Sequence, residues 1–173
     1  MVFLFLVIQF WTYIQTSQML KIVISDTSTL ILFQKIEQFD LLEKLYGKVI
    51  TTPEIADEYG EKLPDWIEIE SVSDKKYQEF IETQVDIGEA SAIALAKEYK
   101  DVLLLLDDLK ARKLAKKLNL KMTGALGIIH RAKQDGLIEK VKPLIDRLLA
   151  TNFRISEKII KEILTLNNEN ASH

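Results

Sequence analysis

The 173-residue chain contains no cysteine. That absence removes disulfides, thiolate metal sites and a cysteine nucleophile together, and it agrees with a reducing, cytoplasmic setting. Histidine is nearly as scarce, with His130 inside a helical pattern and His173 at the polar end, so no histidine pair is available for zinc. No serine–histidine–acid constellation and no G-x-x-x-x-G-K-[ST] loop can be read, and 124–127 (GALG) is too weak a match for a dinucleotide loop. An excess of positive charge is lacking as well. The 23 Lys+Arg residues against 26 Asp+Glu leave a net charge of −3, which argues against wholesale polyanion binding but permits a local basic rim. The longest apolar stretch, residues 1–14 (MVFLFLVIQFWTYI), is shorter than the roughly 18–20 residues that span a bilayer. It has no basic flank before it, and Gln15-Thr16-Ser17-Gln18 makes a poor cleavage site. Residues 1–18 are therefore expected to be an over-called start or a membrane-touching appendage without stable membrane insertion. A single domain is expected over 19–166, beginning at Met19, and a frayed polar tail over 167–173. A domain of this size removes roughly two-thirds of its unfolded surface from water.

What the chain does have is alternation. Residues 21–25 (KIVIS) are short and β-branched, and Thr27 and Ser28 offer hydroxyls to cap a helix running through Leu30 and Phe33. Residues 48–51 end at Thr52-Pro53, where proline suits the first turn of a second helix. Residues 102–106 (VLLLL) are uninterruptedly apolar, as in a strand covered on both faces, and Leu109, Ala111, Leu114, Ala115 and Leu118 stripe the helix behind it. Residues 120–122 form a further strand candidate before the helix-like 126–133. The intervening 74–100 read as two helices, with Tyr77, Phe80 and Ile81 facing inward on the first and Ala90, Ile93 and Ala94 on the second. Two amphipathic helices follow Val141, the last capped by Ser156 with Ile159, Ile160, Ile163 and Leu164 inward. This succession predicts an α/β fold with a central, mainly parallel sheet and helices on both faces. Ligands then bind beyond the carboxyl ends of the strands.

Acidic residues gather at those ends. Asp26 follows the first strand beside Thr27 and Ser28, whose hydroxyls can hold a water or a phosphate oxygen; the competing reading is a helix N-cap. Glu58 sits at the edge of the buried face of the helix after Pro53. Glu89 completes a D-x-x-E pattern at Asp86 and also suits a capping box. Asp107 and Asp108 are one carboxylate more than a single N-cap requires. Carboxylates drawn from separate elements repel one another unless a proton or a cation lies between them. Magnesium or manganese is the simplest reconciliation, since magnesium takes oxygen ligands at roughly 2.0–2.1 Å and keeps several waters. The chain thus reads first as a metal-dependent enzyme that cuts phosphodiesters. Behind the acidic pair stand Lys110, Arg112, Lys113, Lys116 and Lys117, with Lys121, Arg131 and Lys133 farther on, either as a solvated helix face or as phosphate contacts. Lys110, Lys113, Arg131 and Lys133 are the candidates for touching nucleic acid. Arg112, one helical turn from Asp108, suits orienting a carboxylate or clamping a phosphate.

At these residues the sequence resembles a known family. The succession ISDTS at 24–28, TPEIADE at 52–58, DIGEASAIALA at 86–96, LLDDLKARKLAKKL at 105–118 and TGALGIIHRAK at 123–133 is similar to PIN-domain proteins of the prokaryotic branch with GEA and DD-x-x-AR motifs. The resemblance spans 20–166. It implies a three-layer α/β/α fold related to flap endonucleases, magnesium- or manganese-dependent cleavage of single-stranded RNA, and service as the toxin of a toxin–antitoxin pair. It also carries the family's acids onto Asp26, Glu58, Glu89, Asp107 and Asp108 as catalytic and metal-binding residues. Many members have aspartate where this chain has Glu89. Thr27, Ser28 and Arg112 are expected to support them, a small antitoxin to block the acidic crevice with an arginine, and a homodimer to form through the apolar helices around 33–45. Two rival readings are a PIN-like module without turnover that binds nucleic acid or serves assembly, and a phosphatase-type phosphotransferase with Asp26 as nucleophile. The second is weighed down by Ser28, which stands where such an enzyme would want another aspartate.

Overall fold

The computed structural model describes residues 22–169. The expected extension over 1–18, the start at Met19, Lys21 at the head of the first strand, and tail residues 170–173 lie outside them. Five strands, β1 (Ile22–Ser25), β2 (Val49–Thr51), β3 (Ile67–Ile69), β4 (Val102–Leu105) and β5 (Lys121–Thr123), form one sheet in the order β3-β2-β1-β4-β5. Every pairing is parallel. Helical crossovers connect them: α1 (Thr27–Lys35) and α2 (Phe39–Tyr46), α3 (Pro53–Tyr59), α4 (Lys75–Glu82) and α5 (Ile87–Lys97), and α6 (Leu109–Lys117). After β5 come α7 (Ala125–Gln134), α8 (Lys142–Leu149) and α9 (Glu157–Leu166). The result is the three-layer α/β/α arrangement expected from the alternation, with a sheet that is wholly parallel.

Burial follows the layering. All four residues of β4 are buried, as are Val23, Ile24 and Ser25 of β1, because helices cover both faces of the central strands. Topology places the site. The chain winds from β1 outward to β2 and β3, then returns across β1 to β4, so the winding direction reverses between β1 and β4. In such a sheet the crossovers diverge at this point and leave a crevice beyond the carboxyl ends. Register brings Ser25 opposite Leu105. The pairing continues one step past the strands, through Asp26 N to Leu105 O at 3.1 Å and Leu106 N to Thr123 O at 2.8 Å. Asp26 and Asp107 therefore emerge side by side on backbone that the sheet itself holds still.

Several sequence expectations change. Phe80, expected inward on α4, is 61 % exposed, and buried Gln78 takes that face beside Ile81 because its amide donates to Glu54 and Glu82. Leu109, the first residue of α6, lies outside the buried stripe that Ala111 and Ala115 form. Ile163 and Leu164 are buried on α9 as expected, whereas Ile159 and Ile160 are half-buried. Phe33, Ile36, Leu41 and Leu42 are buried within this chain, whereas Phe39, Leu45 and Tyr46 are half-buried. β3 was not legible at all.

The polar tail is also corrected at its beginning. Asn167 is buried, its Oδ1 accepts from His130 Nδ1 at 2.8 Å, and its amide nitrogen donates to Ile163 O at 2.7 Å. His130 is thus a core residue. Lys133 Nζ donates to Asn167 O and to Glu169 Oε1, both at 2.6 Å. Glu169 in turn accepts from Val141 N at 2.8 Å and Lys142 N at 2.9 Å, the amides that open α8. A carboxylate taking three such bonds at a helix start holds its pKa below the usual range despite its burial. Glu169→Ala should cost about 2–3 kcal/mol of unfolding free energy, read by chemical denaturation, since it strands Lys133 and two amides. A midpoint equal to the parent's would mean that 167–169 contribute nothing to the fold.

Candidate functional site

Asp26 caps α1. Its Oδ1 accepts from Thr29 N at 2.8 Å, which is the N-cap reading of the sequence, but the cap uses only half of the carboxyl. Oδ2 is buried and has no hydrogen-bond partner. Burial pushes the Asp26 carboxyl up to about 7; the nearby Thr29 hydroxyl and the bond from Thr29 N oppose this, and the charges of Asp107 and Glu89 reinforce it. Asp107 receives the first amide of α7, with Ala125 N at 3.0 Å from each of its oxygens. Its carboxyl is raised to about 6, again by burial first, against the pull of Ala125 and Arg112. The Thr29 hydroxyl lies near enough to both acids to favour their ionised forms, without a well-formed hydrogen bond to either.

The remaining acids close the group. Glu89 is raised to about 7 by burial, then by Asp108, Asp86 and Glu58. It also fulfils the capping-box expectation, its Oε2 accepting from Asp86 N at 3.3 Å. Asp108 is the N-cap of α6, its Oδ1 taking both Lys110 N and Ala111 N at 2.8 Å. Glu58 is exposed yet fixed, because Thr27 Oγ1 donates to its Oε2 at 2.6 Å. α3 is itself clamped, by Thr52 Oγ1 against Ser91 Oγ at 2.6 Å and by Glu54 accepting from Lys75 Nζ at 3.0 Å. Around the β1/β4 crevice the charges of Asp107 and Glu89 thus act on Asp26, and those of Asp108 and Glu58 act on Glu89. Three of them double as caps, which is why each taken alone looked structural.

Two glycines that sequence reasoning did not single out shape this group. A Cβ on Gly88, in the GEA motif, would stand 2.7 Å from Glu58 Oε2 and 3.4 Å from Thr27 Oγ1. One on Gly124 would overlap Asp107 Oδ1 and come within 3.0 Å of Arg112 Nη1. Neither glycine needs its freedom of φ; each leaves room for a carboxylate. The signal available in the sequence was their place inside the motifs of 86–96 and 123–133. Gly88→Ala and Gly124→Ala should therefore displace the acid rather than unfold the chain. The expected result is a thermal midpoint within a few degrees of the parent's and loss, on the order of a hundredfold, of the RNA cleavage that the family resemblance implies, as misplacement by about 1 Å can produce. Full cleavage by both variants would show that Glu58 and Asp107 need not stay where they are.

The basic candidates divide. Arg112 Nη1 donates to Leu106 O at 2.7 Å, and its charge acts on Asp107 and Asp26. Lys110 and Lys113 are exposed on α6 beside the crevice, and Ser28 is exposed at its edge. Arg131 and Lys133 lie two turns along α7, where Arg131 pairs with Asp135 at 2.6 Å and Lys133 with Glu169. Both are thus paired within the chain.

Among the described residues no three Asp, Glu or His side chains form a ready-made cation cage. The donor set still suits magnesium or manganese. It offers only oxygens, one of them a buried and unpartnered Asp26 atom, and three carboxyls raised towards neutrality are acids that a cation would relieve. Among the described residues no helix is long and apolar enough to cross a membrane. A family model described as a PIN domain matches residues 22–169. No curated protein and no solved structure matches the chain.

Proposed function

Because the chain belongs to the PIN-domain family, whose fold is of nuclease type, we propose that it is a metal-dependent endoribonuclease that cuts single-stranded RNA in the cytoplasm. The observation that carries this reading is the buried, unpartnered Oδ2 of Asp26 facing other raised carboxyls at the β1/β4 crevice. Asp26, Asp107 and Glu89, with Glu58 and Asp108 around them, would hold magnesium or manganese. When bound, such an ion supplies a water of lowered pKa and stabilises charge on a phosphate. The chain's own groups do the rest. Ala125 N keeps Asp107 in place, Arg112 steadies the adjoining backbone at Leu106 O, Thr27 keeps Glu58 in place, and Lys110, Lys113 and Ser28 are exposed at the rim to meet phosphate oxygens. An acidic crevice of this kind also attracts guanidinium, which supports a toxin role in which a small antitoxin blocks it with an arginine.

The test is direct. Purified protein should cleave single-stranded RNA with magnesium or manganese, leave duplex RNA uncut and fall silent in chelator. Cleavage undiminished by chelator would remove the metal, and intact RNA at every divalent ion tried would remove the nuclease. Co-expression with the neighbouring open reading frames tests the toxin role separately, where the expected result is a co-purifying small protein that stops cleavage.

A further inference from the structure

A cavity of about 460 Å³ opens between the end of α3 and the loop leading into β3, outside the acidic crevice but next to it in the chain. Its floor is aromatic. Phe39, which opens α2, and Tyr59, which closes α3, lie nearly parallel at 7° with ring centroids 6.1 Å apart. Trp66, which does not line the cavity, tilts against Phe39 at 5.3 Å. Phe39 and Tyr59 are half-buried, so they are held by the fold and still offer surface. The rim is polar: Gln34 Nε2 donates to Glu61 Oε2 at 3.0 Å, and Lys62 and Asp65 complete it. Glu61 lies close enough to Tyr59 for its charge to raise the phenol's pKa, second only to burial. The acidic group and the cavity share α3, for Tyr59 is the residue after Glu58.

Aromatic floors of this type stack any unpaired base, whereas carboxylates on the rim select bases with amino donors at their edge. Uracil presents carbonyls where adenine and cytosine present amino groups, so Glu61 and Asp65 disfavour it. We propose that this cavity is a nucleobase subsite, which takes an amino-bearing base of the same RNA strand whose backbone passes Glu58, while Lys62 meets a neighbouring phosphate. The subsite rests on the ribonuclease reading. It restricts that activity to single strands, because a duplex keeps its bases stacked and paired. A cationic peptide could use the same rings and carboxylates. Lys62 on the rim and the shared helix with Glu58 favour the RNA strand.

The experiment measures binding of fluorescein-labelled short oligo(A), oligo(C) and oligo(U) to the full chain by anisotropy, in chelator and without divalent ions. Oligo(A) and oligo(C) should bind more tightly than oligo(U). Tyr59→Ala should weaken oligo(A) roughly 5- to 100-fold, the range for loss of one base–aromatic stack. Tyr59→Trp should restore affinity, and Tyr59→Leu, which keeps apolar volume without a ring face, should not. Glu61→Gln with Asp65→Asn should erase the preference over oligo(U). Unchanged affinity in both Tyr59→Ala and Tyr59→Leu, with thermal midpoints at the parent's, overturns the subsite. So does a surface that binds an arginine-rich peptide through Tyr59 and no RNA. The two readings fail differently: binding as described without any cleavage in manganese removes the nuclease and leaves the subsite, whereas cleavage with an unaltered KM in Tyr59→Leu removes the subsite alone.

Discussion

Asp26→Asn should lose RNA cleavage by roughly a hundredfold or more, the scale of removing one well-placed electrostatic group, while its metal-free form melts no lower than the parent at pH 7.5. The two outcomes together separate a site residue from a cap. Asparagine caps helices about as well as aspartate, and its side-chain oxygen can keep the bond from Thr29 N. What the substitution removes is charge in a buried place. Asp26 is 1 % exposed and its carboxyl is pushed up to about 7 from 3.8. Holding it ionised above that pH costs the metal-free protein on the order of 2–4 kcal/mol, since each tenfold change in proton affinity is worth about 1.4 kcal/mol. Asp26→Asn is released from that cost, so its midpoint should rise by several degrees. A purely structural aspartate gives the opposite pair, with activity following stability downward. Cleavage at the parent's rate would end the assignment of Asp26.

The metal-free chain should grow less stable as the pH rises from about 4.5 to 7.5, and manganese should reverse the loss at the upper end. Asp26 and Glu89 titrate near 7 and Asp107 near 6 in the folded chain, all above their ordinary values. Across that window the folded chain holds protons that the unfolded chain has released, so raising the pH favours unfolding. The decline should end once the pH passes the folded values, just above 7. A divalent ion binds the ionised acids of the folded state and adds stability as the logarithm of its concentration over its dissociation constant. Its effect should therefore be large at pH 7.5 and small at pH 5, where protons compete. Thermal melts at both pH values, with chelator and with manganese, check this. A midpoint that climbs from pH 5 to 7.5 in chelator would mean that the three carboxyls ionise normally, and no manganese effect at pH 7.5 would mean that the crevice does not bind it.

Strand and helix order could be read wherever local pattern and tertiary role coincide. Residues 102–105 of the apolar run form a strand buried on both faces, and Thr52-Pro53 opens α3. β3 escaped because only Ile67 of its three residues is buried; an edge strand of this length exists by backbone pairing with β2 and leaves little trace in side-chain pattern. Phe80 was misplaced on a similar ground. Periodicity counts apolar residues, whereas the α4 interface is settled by Gln78, whose buried amide has two carboxylate partners.

Composition and spacing expose which residues place carboxylates at strand ends and helix starts, because caps and strand termini are local features of the chain. The sequence alone could not say whether those acids meet. That was decided by the parallel order β3-β2-β1-β4-β5, which sets β1 against β4 and so Asp26 beside Asp107. Packing likewise decided that Gly88 and Gly124 make room for acids and that Lys133 joins Glu169 rather than the crevice rim. It also bound residues 167–169 into the fold, since a buried hydrogen bond joins groups far apart in the chain, such as His130 and Asn167, and no local pattern records it.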